Sequence, residues 1–221
     1  MNVTQILQEF ITGIKQTSAL EFVAVISGIV SVWFSRKESI WVYPTGLLNT
    51  TFYIYLSFQG SLLGEASVNM YYTIMSIYGW YLWTRKNRED EVLIHITYSN
   101  KREWIVELLF FASFYIAIFG ALTYLKKDFA PGAIPWADAF ASSTAFTAMW
   151  LMARKKVGSW YWWIATNIAS IPLYFIKHYV FTSVYYVILL LMAFWGLVEW
   201  KRRANEQIKI STAILNSTHN T

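Results

Sequence analysis

Long apolar stretches separated by short polar ones dominate this chain, and they predict an all-α, polytopic membrane protein. Seven stretches approach the roughly 20 residues that a helix needs to cross the hydrocarbon core of a bilayer. They cover residues 19–35, 41–58, 68–84, 104–125, 136–153, 160–178 and 181–200. Ahead of them, residues 3–17 place several large apolar side chains on one helical face, which is typical of a short interfacial helix. Little of the chain remains for a soluble catalytic domain.

Composition agrees with this assignment and excludes several kinds of chemistry. Only 14% of the residues are charged, against about 25% in a soluble domain. Cysteine is absent, which excludes disulfides, thiolate chemistry and cysteine-based metal sites. The three histidines are too scattered along the chain to form a metal site. We therefore predict no catalytic residues, no metal and no cofactor.

The distribution of basic residues predicts how the chain crosses the membrane. Fourteen of the 18 Lys and Arg fall in the loops after the first, third and fifth spans and in the C-terminal tail: Arg36, Lys37, Arg85, Lys86, Arg88, Lys101, Arg102, Arg154, Lys155, Lys156, Lys201, Arg202, Arg203 and Lys209. The other side has Lys15, Lys126, Lys127 and Lys177. Basic residues collect on the cytoplasmic side, so we predict an external N-terminus and a cytoplasmic C-terminus. The net charge of +5 thus reports topology rather than nucleic-acid binding.

An internal repeat relates the first three spans to the last three. At a shift of 117 residues, the matched pairs are Glu21 with Asp138, Ser27 with Thr144, Trp33 with Trp150, Gly79 with Gly196 and Trp83 with Trp200. At a shift of 119, they are Trp41 with Trp160 and Tyr55 with Tyr174. One linking span between two three-span repeats restores the orientation of the second, giving a 3+1+3 parallel duplication. Such repeats build transporters whose substrate site lies near the membrane midplane.

The repeat sets the predicted organisation of the chain. An interfacial segment (1–18) precedes the first repeat (19–84), a cytoplasmic loop (85–103), the linking helix (104–125), an external loop (126–135), the second repeat (136–200) and a cytoplasmic tail (201–221). A seven-span receptor or opsin would show no such repeat. A retinal Schiff base is excluded as well, because the last span contains no lysine.

Polar and aromatic side chains inside the spans mark the predicted substrate site. Polar groups are costly inside a membrane, and they face the bundle interior or a cavity. Asn49 and Asn167 lie near the middle of corresponding spans, while residues of the third and sixth spans form one-sided stripes. The predicted substrate-binding residues are Asn49, Asn69, Thr73, Ser76, Trp80, Trp163, Asn167 and Ser170. The seventh span is apolar at the matching positions, so the site is expected to be lopsided.

Several of these features also have a purely structural interpretation. Trp160 begins a span, where an aromatic belt at the membrane interface explains it without a ligand. Glu21 and Asp138 form a predicted outer vestibule for cations, although an acid in a first helical turn also complements the helix dipole. Pro172 should kink its helix, and we predict that it gates the site together with Tyr55 and Tyr174. A static bend is the alternative.

Three motifs resemble the PnuC-type nicotinamide riboside transporters. They are W-V-Y-P-T-G at 41–46, I-Y-G-W-Y-L-W at 77–83 and the W-Y-W-W…S-I-P-L-Y-F-I-K run at 160–177. The resemblance implies a 3+1+3 fold related to the SWEET and SemiSWEET sugar transporters. It also implies facilitated diffusion of nicotinamide riboside through the inner membrane for NAD salvage, trapping by a cytosolic nicotinamide riboside kinase, and a homotrimer.

The predicted site suits this substrate chemically. Nicotinamide riboside is a flat pyridinium cation, and each tryptophan face stabilises a cation by roughly 0.5–2 kcal/mol. No Arg or Lys lies in mid-span, so a phosphorylated substrate should be rejected. Glu107 is the nearest candidate for ion coupling, and a uniporter is the simplest mechanism. The alternatives are a transporter of the same fold for thiamine, another vitamin, a nucleoside or a sugar; a lipid-active enzyme would need an acid–base pair that the sequence lacks.

Overall fold

The computed structural model describes residues 3–59, 63–87, 92–129 and 132–219, which form eight α-helices. In chain order they are α1 (Val3–Gln16), α2 (Ala19–Arg36), α3 (Val42–Gln59), α4 (Leu63–Thr84), α5 (Lys101–Phe129), α6 (Pro135–Ala153), α7 (Gly158–Ile176) and α8 (Val180–His219). Parts of the predicted loops 85–103 and 126–135, and the last two residues of the tail, lie outside the described residues. Within the described ranges, extended pairing is limited to isolated bridges.

Local capping signals explain where several helices begin. Ser18 accepts a hydrogen bond from the N–H of Glu21 at 3.1 Å at the start of α2. Asn100 and Glu103 cap each other at 2.9 Å, backbone to side chain, at the start of α5. Such reciprocal capping satisfies N–H groups that have no partner within the helix. α6 starts at Pro135, where a missing N–H costs nothing.

The seven predicted spans coincide with helices α2 to α8, with differences at the ends. Each span lies within one helix or overruns it by no more than two residues. α8 is longer than predicted, because it continues as a helix through the polar tail to His219. By length and apolar composition, three of the described helices can cross a membrane, namely α2, α5 and α8. The other predicted spans carry more polar side chains, many of which face other helices.

Helix packing follows the same pattern in two halves of the chain. α3 packs between α2 and α4, and α7 packs between α6 and α8. The halves pack together mainly where α4 lies on α6 and where α8 lies on α2. A two-fold rotation that exchanges the halves would exchange these two interfaces. α5 packs on α6 and α1 packs on α8, outside the six repeated helices.

Two matched tryptophans each donate a hydrogen bond from their own half of the chain to the other half. The indole N–H of Trp83, at the end of α4, donates to the carbonyl oxygen of Ala153 at 3.1 Å. The indole N–H of Trp200, on α8, donates to the carbonyl oxygen of Ser35, also at 3.1 Å. The acceptors lie at the ends of α6 and α2. The acceptors differ by one position at a shift of 117, since Ala153 corresponds to Arg36, but the two tryptophans take corresponding places at that shift.

The second helices of the halves also correspond at a shift of 117, so the predicted shift of 119 is wrong for them. A methyl group on Gly79 would overlap the Tyr43 side chain, and one on Gly196 would overlap Trp160 in the same way. Trp160 is therefore equivalent to Tyr43, whereas Trp41 is 60% exposed. The prediction matched tryptophan with tryptophan, but the position is set by a large ring packing on a glycine.

The bundle has a basic end and an acidic end. The basic end contains the α2–α3 and α6–α7 connections and the nearby part of α8, with Lys155 and Arg203. The acidic end contains Glu21, Glu65 and Asp138, which lie in the first turns of α2, α4 and α6. Alternate helices run in opposite directions, so these three first turns meet at one end.

Candidate substrate site

Five tyrosines from four helices gather between the acidic end and the middle of the bundle. This tyrosine cluster consists of Tyr53 on α3, Tyr72 on α4, Tyr174 on α7, and Tyr185 and Tyr186 on α8. The rings of Tyr174 and Tyr186 stack with their centroids 5.2 Å apart, and those of Tyr185 and Tyr186 are 5.8 Å apart. Tyr53 and Tyr72 lie near the same two α8 tyrosines. Aromatic side chains from both halves thus surround one region of the interior.

Asn167 brings an unpaired amide to this region. Only 3% of the residue is exposed, and its side chain makes no hydrogen bond with any residue in the described ranges. Its amide atoms are not among the completely sealed, unpaired polar atoms of the described interior. In the first half, the equivalent residue Thr50 accepts a hydrogen bond from Thr73 at 2.9 Å. The residue equivalent to Thr73 is Leu190, which has no hydrogen-bonding group. An amide that no protein group satisfies and that is not completely sealed is available to a polar group of a ligand.

Asn49 lies in the same interior but is partly committed to the fold. Its amide donates to the carbonyl oxygen of Ala24 at 2.7 Å and ties α3 to α2. A methyl group on Gly28 would lie 2.9 Å from this amide nitrogen and 2.6 Å from the Tyr185 hydroxyl. The Asn49 amide and the tyrosine cluster therefore meet over Gly28. Among the described residues, none donates a hydrogen bond to the side-chain oxygen of Asn49.

The predicted site residues of α4 direct their polar groups to their own half of the bundle. The amide of Asn69 donates to the carbonyl oxygen of Glu65, one turn earlier, at 2.9 Å. Thr73 bonds to a threonine of α3 and to the carbonyl oxygen of Asn69. Ser76 is 2% exposed and faces α3 at a glycine. These side chains hold α4 against its neighbours, so their assignment as substrate ligands stays a prediction.

Of the predicted tryptophans, Trp163 reaches the tyrosine cluster. Its ring centroid lies 6.3 Å from that of Tyr72, so α7 and α4 meet there across the two halves. Trp80 is 38% exposed and has no ring partner among the described residues. Trp160 does not lie in an aromatic belt, because it is 1% exposed and packs on Gly196. The large exposed surface expected of a belt residue is absent there.

The three predicted gating residues are not brought together. Tyr174 and Ser170 lie against the Tyr186 hydroxyl. Tyr55 is 54% exposed and, at a shift of 119, is not equivalent to Tyr174. Pro172 lies near the end of α7, which continues through it as one helix to Ile176. The structure therefore joins Ser170 and Tyr174 to the tyrosine cluster, and a gating role for these residues stays a prediction.

At the acidic end, the two predicted vestibule acids differ in their partners. The Asp138 carboxylate binds Lys177 Nζ at 2.7 and 2.9 Å and accepts the N–H of Ile134 at 2.6 Å. Glu21, half-buried, forms no ion pair with a residue of the described ranges. A third acid, Glu65, interacts electrostatically with Lys177, Asp138 and Glu21. Carboxylates thus outnumber the single lysine of this group.

Reasoning from the sequence missed five residues of the region. They are Tyr53, Glu65, Tyr72, Tyr185 and Tyr186. Two signals were available: Glu65 occupies a first helical turn, as Glu21 and Asp138 do, and adjacent tyrosines occur in both α4 and α8. Because tyrosine is also enriched at membrane interfaces, composition alone did not separate these rings from belt residues.

The arrangement suits a flat ring that carries hydrogen-bonding groups. Aromatic faces stabilise a cationic ring by roughly 0.5–2 kcal/mol each, and Asn167 can both donate and accept a hydrogen bond. Lys177, whose Nζ is 6.0 Å from the Tyr174 ring centroid, is held by Asp138 and is not free to bind a phosphate. No group of three potential metal ligands occurs in the described parts of the chain.

Comparisons with known proteins give a consistent picture. The sequence profile of a family described as "Nicotinamide mononucleotide transporter" matches residues 18–202. The nicotinamide riboside transporter PnuC of Escherichia coli (strain K12) is 26% identical over 210 residues, which cover 86% of this chain and 88% of that protein. The riboflavin/roseoflavin transporter RibM of Streptomyces davaonensis is 26% identical over 188 residues, covering 83% of this chain and 85% of that protein.

One solved structure has the same fold. A crystal structure of the vitamin B3 transporter PnuC superposes with a TM-score of 0.69 and covers 91% of this chain and 88% of its own. The sequences are 21% identical in this comparison, so the similarity shows a shared fold and nothing beyond it. The transporter family and the apolar helices of the described residues identify a multi-pass membrane protein.

Proposed function

We propose, because this chain belongs to the nicotinamide mononucleotide transporter family, that it transports a vitamin built from a flat ring and a ribose, with nicotinamide riboside as its substrate. The resemblance to PnuC-type transporters is confirmed by the family match. The protein is a membrane transporter and not an enzyme, since the family and its similar proteins are transporters.

The unpaired amide of Asn167 is the observation that carries this proposal. A carboxamide can exchange two hydrogen bonds with the carboxamide of nicotinamide or with ribose hydroxyls. Trp163, one turn earlier on α7, contacts Tyr72 of the tyrosine cluster, so aromatic faces lie near this amide. A buried group that lacks a protein partner is the kind of group through which a site selects its ligand.

Nicotinamide riboside fits this region better than the mononucleotide in the family's description. A phosphate is normally bound by arginine, lysine or several backbone N–H groups. Neither Asn167 nor the tyrosine cluster has a free basic side chain among its described contacts, and Lys177 is neutralised by Asp138. The similar proteins whose names mention nicotinamide carry the riboside.

Riboflavin is the second candidate, favoured by the similarity to RibM. Riboflavin is also a flat heteroaromatic ring, and its ribityl chain carries hydroxyls like those of a ribose. It differs in being larger and uncharged. Aromatic stacking would serve either vitamin, whereas the carboxylates of the acidic end would favour the cationic one.

A tryptophan-fluorescence titration of the purified protein tests the proposal. The ligands are nicotinamide riboside, nicotinamide mononucleotide, riboflavin and thiamine. We expect the riboside to bind and the mononucleotide to bind at least about tenfold more weakly. Asn167→Ala should weaken riboside binding by about 10- to 100-fold, because two hydrogen bonds are lost. Asn69→Ala is the matched control, because the Asn69 amide is used by its own helix.

Each outcome has a distinct meaning. Tight binding of the mononucleotide would overturn the assignment of the riboside, and tight binding of riboflavin alone would replace it with the second candidate. An unchanged affinity of Asn167→Ala would remove Asn167 from the site. An equal loss in Asn69→Ala would show that the site extends along α4.

We propose a 3+1+3 arrangement of seven spans for the membrane part, with the basic end in the cytoplasm. The repeated helix contacts and the equivalent hydrogen bonds of Trp83 and Trp200 support the two repeats, with α5 as the linking helix. The excess of Lys and Arg at the basic end supports the orientation. In this arrangement α1 lies in the external interface, Phe10 packing on Phe181 with ring centroids 6.0 Å apart.

We propose facilitated diffusion as the mechanism, because the membrane potential is sufficient to drive the uptake of a cation. A negative interior contributes about 2.3 kcal/mol per elementary charge at 100 mV, which corresponds to roughly 50-fold accumulation. A cytosolic kinase would then trap the riboside as a phosphate that the site rejects.

We place the contacts of a homotrimer on α5, where Leu109 is 62% and Ile116 is 70% exposed.

A further inference from the structure

Residues of the first half contact their own equivalents of the second half at the basic end. Ser35 Oγ lies 2.9 Å from Met152 Sδ, and Glu38 Oε1 lies 2.7 Å from Lys155 Nζ. Both pairs are separated by 117 residues, the repeat shift. Two equivalent residues can touch each other only beside the axis that relates the halves. These contacts therefore mark the axis itself, where the halves would separate if they rocked apart.

The ion pair on the axis has an unusual backbone. Glu38 has φ = 59° and Lys155 has φ = 52°, both in the left-handed region that favours glycine. Each residue follows the end of a helix and donates the same kind of hydrogen bond. The N–H of Glu38 donates to the carbonyl oxygen of Ser35, and the N–H of Lys155 donates to the carbonyl oxygen of Met152, both at 3.0 Å. Left-handed backbone costs other residues roughly 1–2 kcal/mol. His178, which follows the end of α7, has φ = 63° in the same helix-end motif, so this backbone marks Glu38 and Lys155 as equivalent positions.

The ion pair is also largely removed from solvent. The side chain of Lys155 is 6% exposed and that of Glu38 is 22% exposed. Arg203 binds the second carboxylate oxygen of Glu38 at 3.1 Å, and Lys155 Nζ lies 4.7 Å from the Trp83 ring centroid. Breaking a buried pair by removing one partner leaves an uncompensated charge, which is strongly unfavourable. The pair therefore holds the two halves together.

A row of four aromatic rings seals the interior above this pair. Tyr43, Trp83, Trp200 and Trp160 follow one another with ring centroids 5.2, 6.3 and 5.6 Å apart. Each is at most 5% exposed. Trp83 and Trp200 are equivalent residues, and so are Tyr43 and Trp160, so the row crosses the axis symmetrically. A ring-shaped substrate could leave through this end only if the row divided.

Two buried donors at the ends of the row have no partner. The Tyr43 hydroxyl and the Trp160 indole N–H are sealed from solvent and form no hydrogen bond within the described ranges. An unpaired buried polar group costs about 1–3 kcal/mol. Separation of the halves would expose both groups to water or to a passing substrate. These two unpaired donors therefore destabilise the closed arrangement relative to an open one.

From these observations we infer that the Glu38–Lys155 pair and the aromatic row of Tyr43, Trp83, Trp160 and Trp200 form the gate at the basic end, and that the structure shows this gate closed. The inference rests on the proposed transport function. Opening separates the two halves at the axis, which breaks the ion pair and divides the row between Trp83 and Trp200. The substrate site then communicates with the basic end.

Cross-linking tests the gate directly, because the chain contains no cysteine that would react elsewhere. Glu38→Cys/Lys155→Cys is reconstituted in liposomes and joined with a bifunctional methanethiosulfonate reagent. We expect the cross-link to reduce transport of nicotinamide riboside by about tenfold or more and a reducing agent to restore it. Riboside binding to the purified cross-linked protein should stay within about twofold of the uncross-linked value. Normal transport by the cross-linked protein would overturn the inference.

A second measurement needs no substrate. Ser35→Cys places one thiol on the axis at a position that is 3% exposed, and its rate of alkylation reports opening. We expect Glu38→Gln, which removes the carboxylate that both Lys155 and Arg203 bind, to speed alkylation by about tenfold or more. Glu206→Gln is the matched control, because it removes an exposed ion pair of α8 with Arg202. Equal alkylation rates in all variants would contradict the gate.

The two experiments also separate this inference from the proposed function. A native protein that binds no vitamin, but whose Ser35→Cys variant responds to loss of the ion pair, would reject the substrate and keep the gate. A protein that binds and transports the riboside, but whose axis thiol and cross-link have no effect, would keep the function and reject the gate.

Discussion

The two halves of the bundle repeat one packing scheme but use its central polar position differently. In the first half, Thr73 donates to Thr50 at 2.9 Å and the pair is satisfied within the fold. In the second half, the equivalent residues are Leu190 and Asn167, and the amide has no hydrogen-bond partner among the described residues. A duplicated fold can thus keep one polar pair for stability and free the other for a ligand.

A second difference lies one helical turn nearer the basic end. At Gly46, a methyl group would lie 3.1 Å from Ser31 Oγ, so α3 approaches α2 closely there. The equivalent residue in the second half is Trp163. The position equivalent to Ser31 is Ala148, which is fully buried, and Ala193 of α8 is 1% exposed. The small alanines leave room for the indole of Trp163. The second half therefore presents an aromatic ring to the interior at the position where the first half has Gly46 and no side chain.

The largest effect that we predict tests whether the two halves are packed in the same way. Gly79→Ala would place a methyl group against Tyr43, and Gly196→Ala would place one against Trp160. Each should destabilise the protein by about 1–3 kcal/mol, because neither ring has space to withdraw in a packed interior. Thermal unfolding in detergent measures both. If the halves are equivalent in packing, the two losses should agree within about 0.5 kcal/mol.

The matched control for these variants is Gly120→Ala in α5. A methyl group at Gly120 would meet nothing within 4 Å. Alanine favours a helix interior over glycine by about 1 kcal/mol, so this variant should be neutral or more stable. A destabilised Gly120→Ala would mean that the method responds to any change in a helix. A large loss in only one of the two halves would show that their packing differs after all.

A smaller effect is expected when the second half is made to resemble the first. Thr50 has a hydrogen-bond partner in the hydroxyl of Thr73. Leu190→Thr places a hydroxyl at the equivalent position, where it can bond to Asn167. We expect the affinity for nicotinamide riboside to fall about fivefold, because the ligand must then replace an internal hydrogen bond worth about 1 kcal/mol. Titration by tryptophan fluorescence measures the change.

Leu190→Val separates the hydroxyl from the change in shape, because valine and threonine have nearly the same volume. Its riboside affinity should stay within about twofold of the native value. If valine weakens binding as much as threonine does, the loss arises from packing and the contrast between the halves has no bearing on the ligand. Unchanged affinity in Leu190→Thr would mean that Asn167 does not contact the substrate.

Much of the fold could be predicted because helix length and hydropathy are local properties. The positions of helices α2 to α8 follow from the apolar stretches, and pairs such as Trp83 with Trp200 indicate a repeat. The register of the second helices could not be predicted in the same way. Trp41 and Trp160 match as residue types, but the equivalent of Trp160 is Tyr43, since both fill the space above a glycine. Tertiary packing decides such a register.

The candidate site was less predictable for a related reason. Asn167 could be identified, because a carboxamide in the middle of an apolar span is costly without a partner. The α4 residues Asn69 and Thr73 gave the same signal, yet they bond within their own half. Tyr186 gave little signal, and it gathers Ser170 and Tyr174 around its hydroxyl. Which polar groups remain free depends on neighbours that are distant in sequence.

The smallest predicted effect concerns the two acids that begin α2 and α6. Glu21 and Asp138 are equivalent at the repeat shift, but Lys177 neutralises Asp138 alone. Glu21→Gln should lower uptake of the cationic riboside, at concentrations far below saturation, by about twofold in low salt. The effect should vanish near 1 M salt, where the screening length falls to about 3 Å. Stability should not change.

Asp138→Asn provides the contrast, because it removes a partly buried partner of Lys177 as well as a charge. It should lower the unfolding temperature along with uptake, since the lysine is left without its carboxylate at 2.7 Å. Glu206→Gln, at the other end of the bundle, should change neither quantity. If Glu21→Gln lowers uptake equally in low and high salt, Glu21 acts by contact and not by its field. It would then belong to the substrate path itself, and the acidic end would be more than an electrostatic approach to the site.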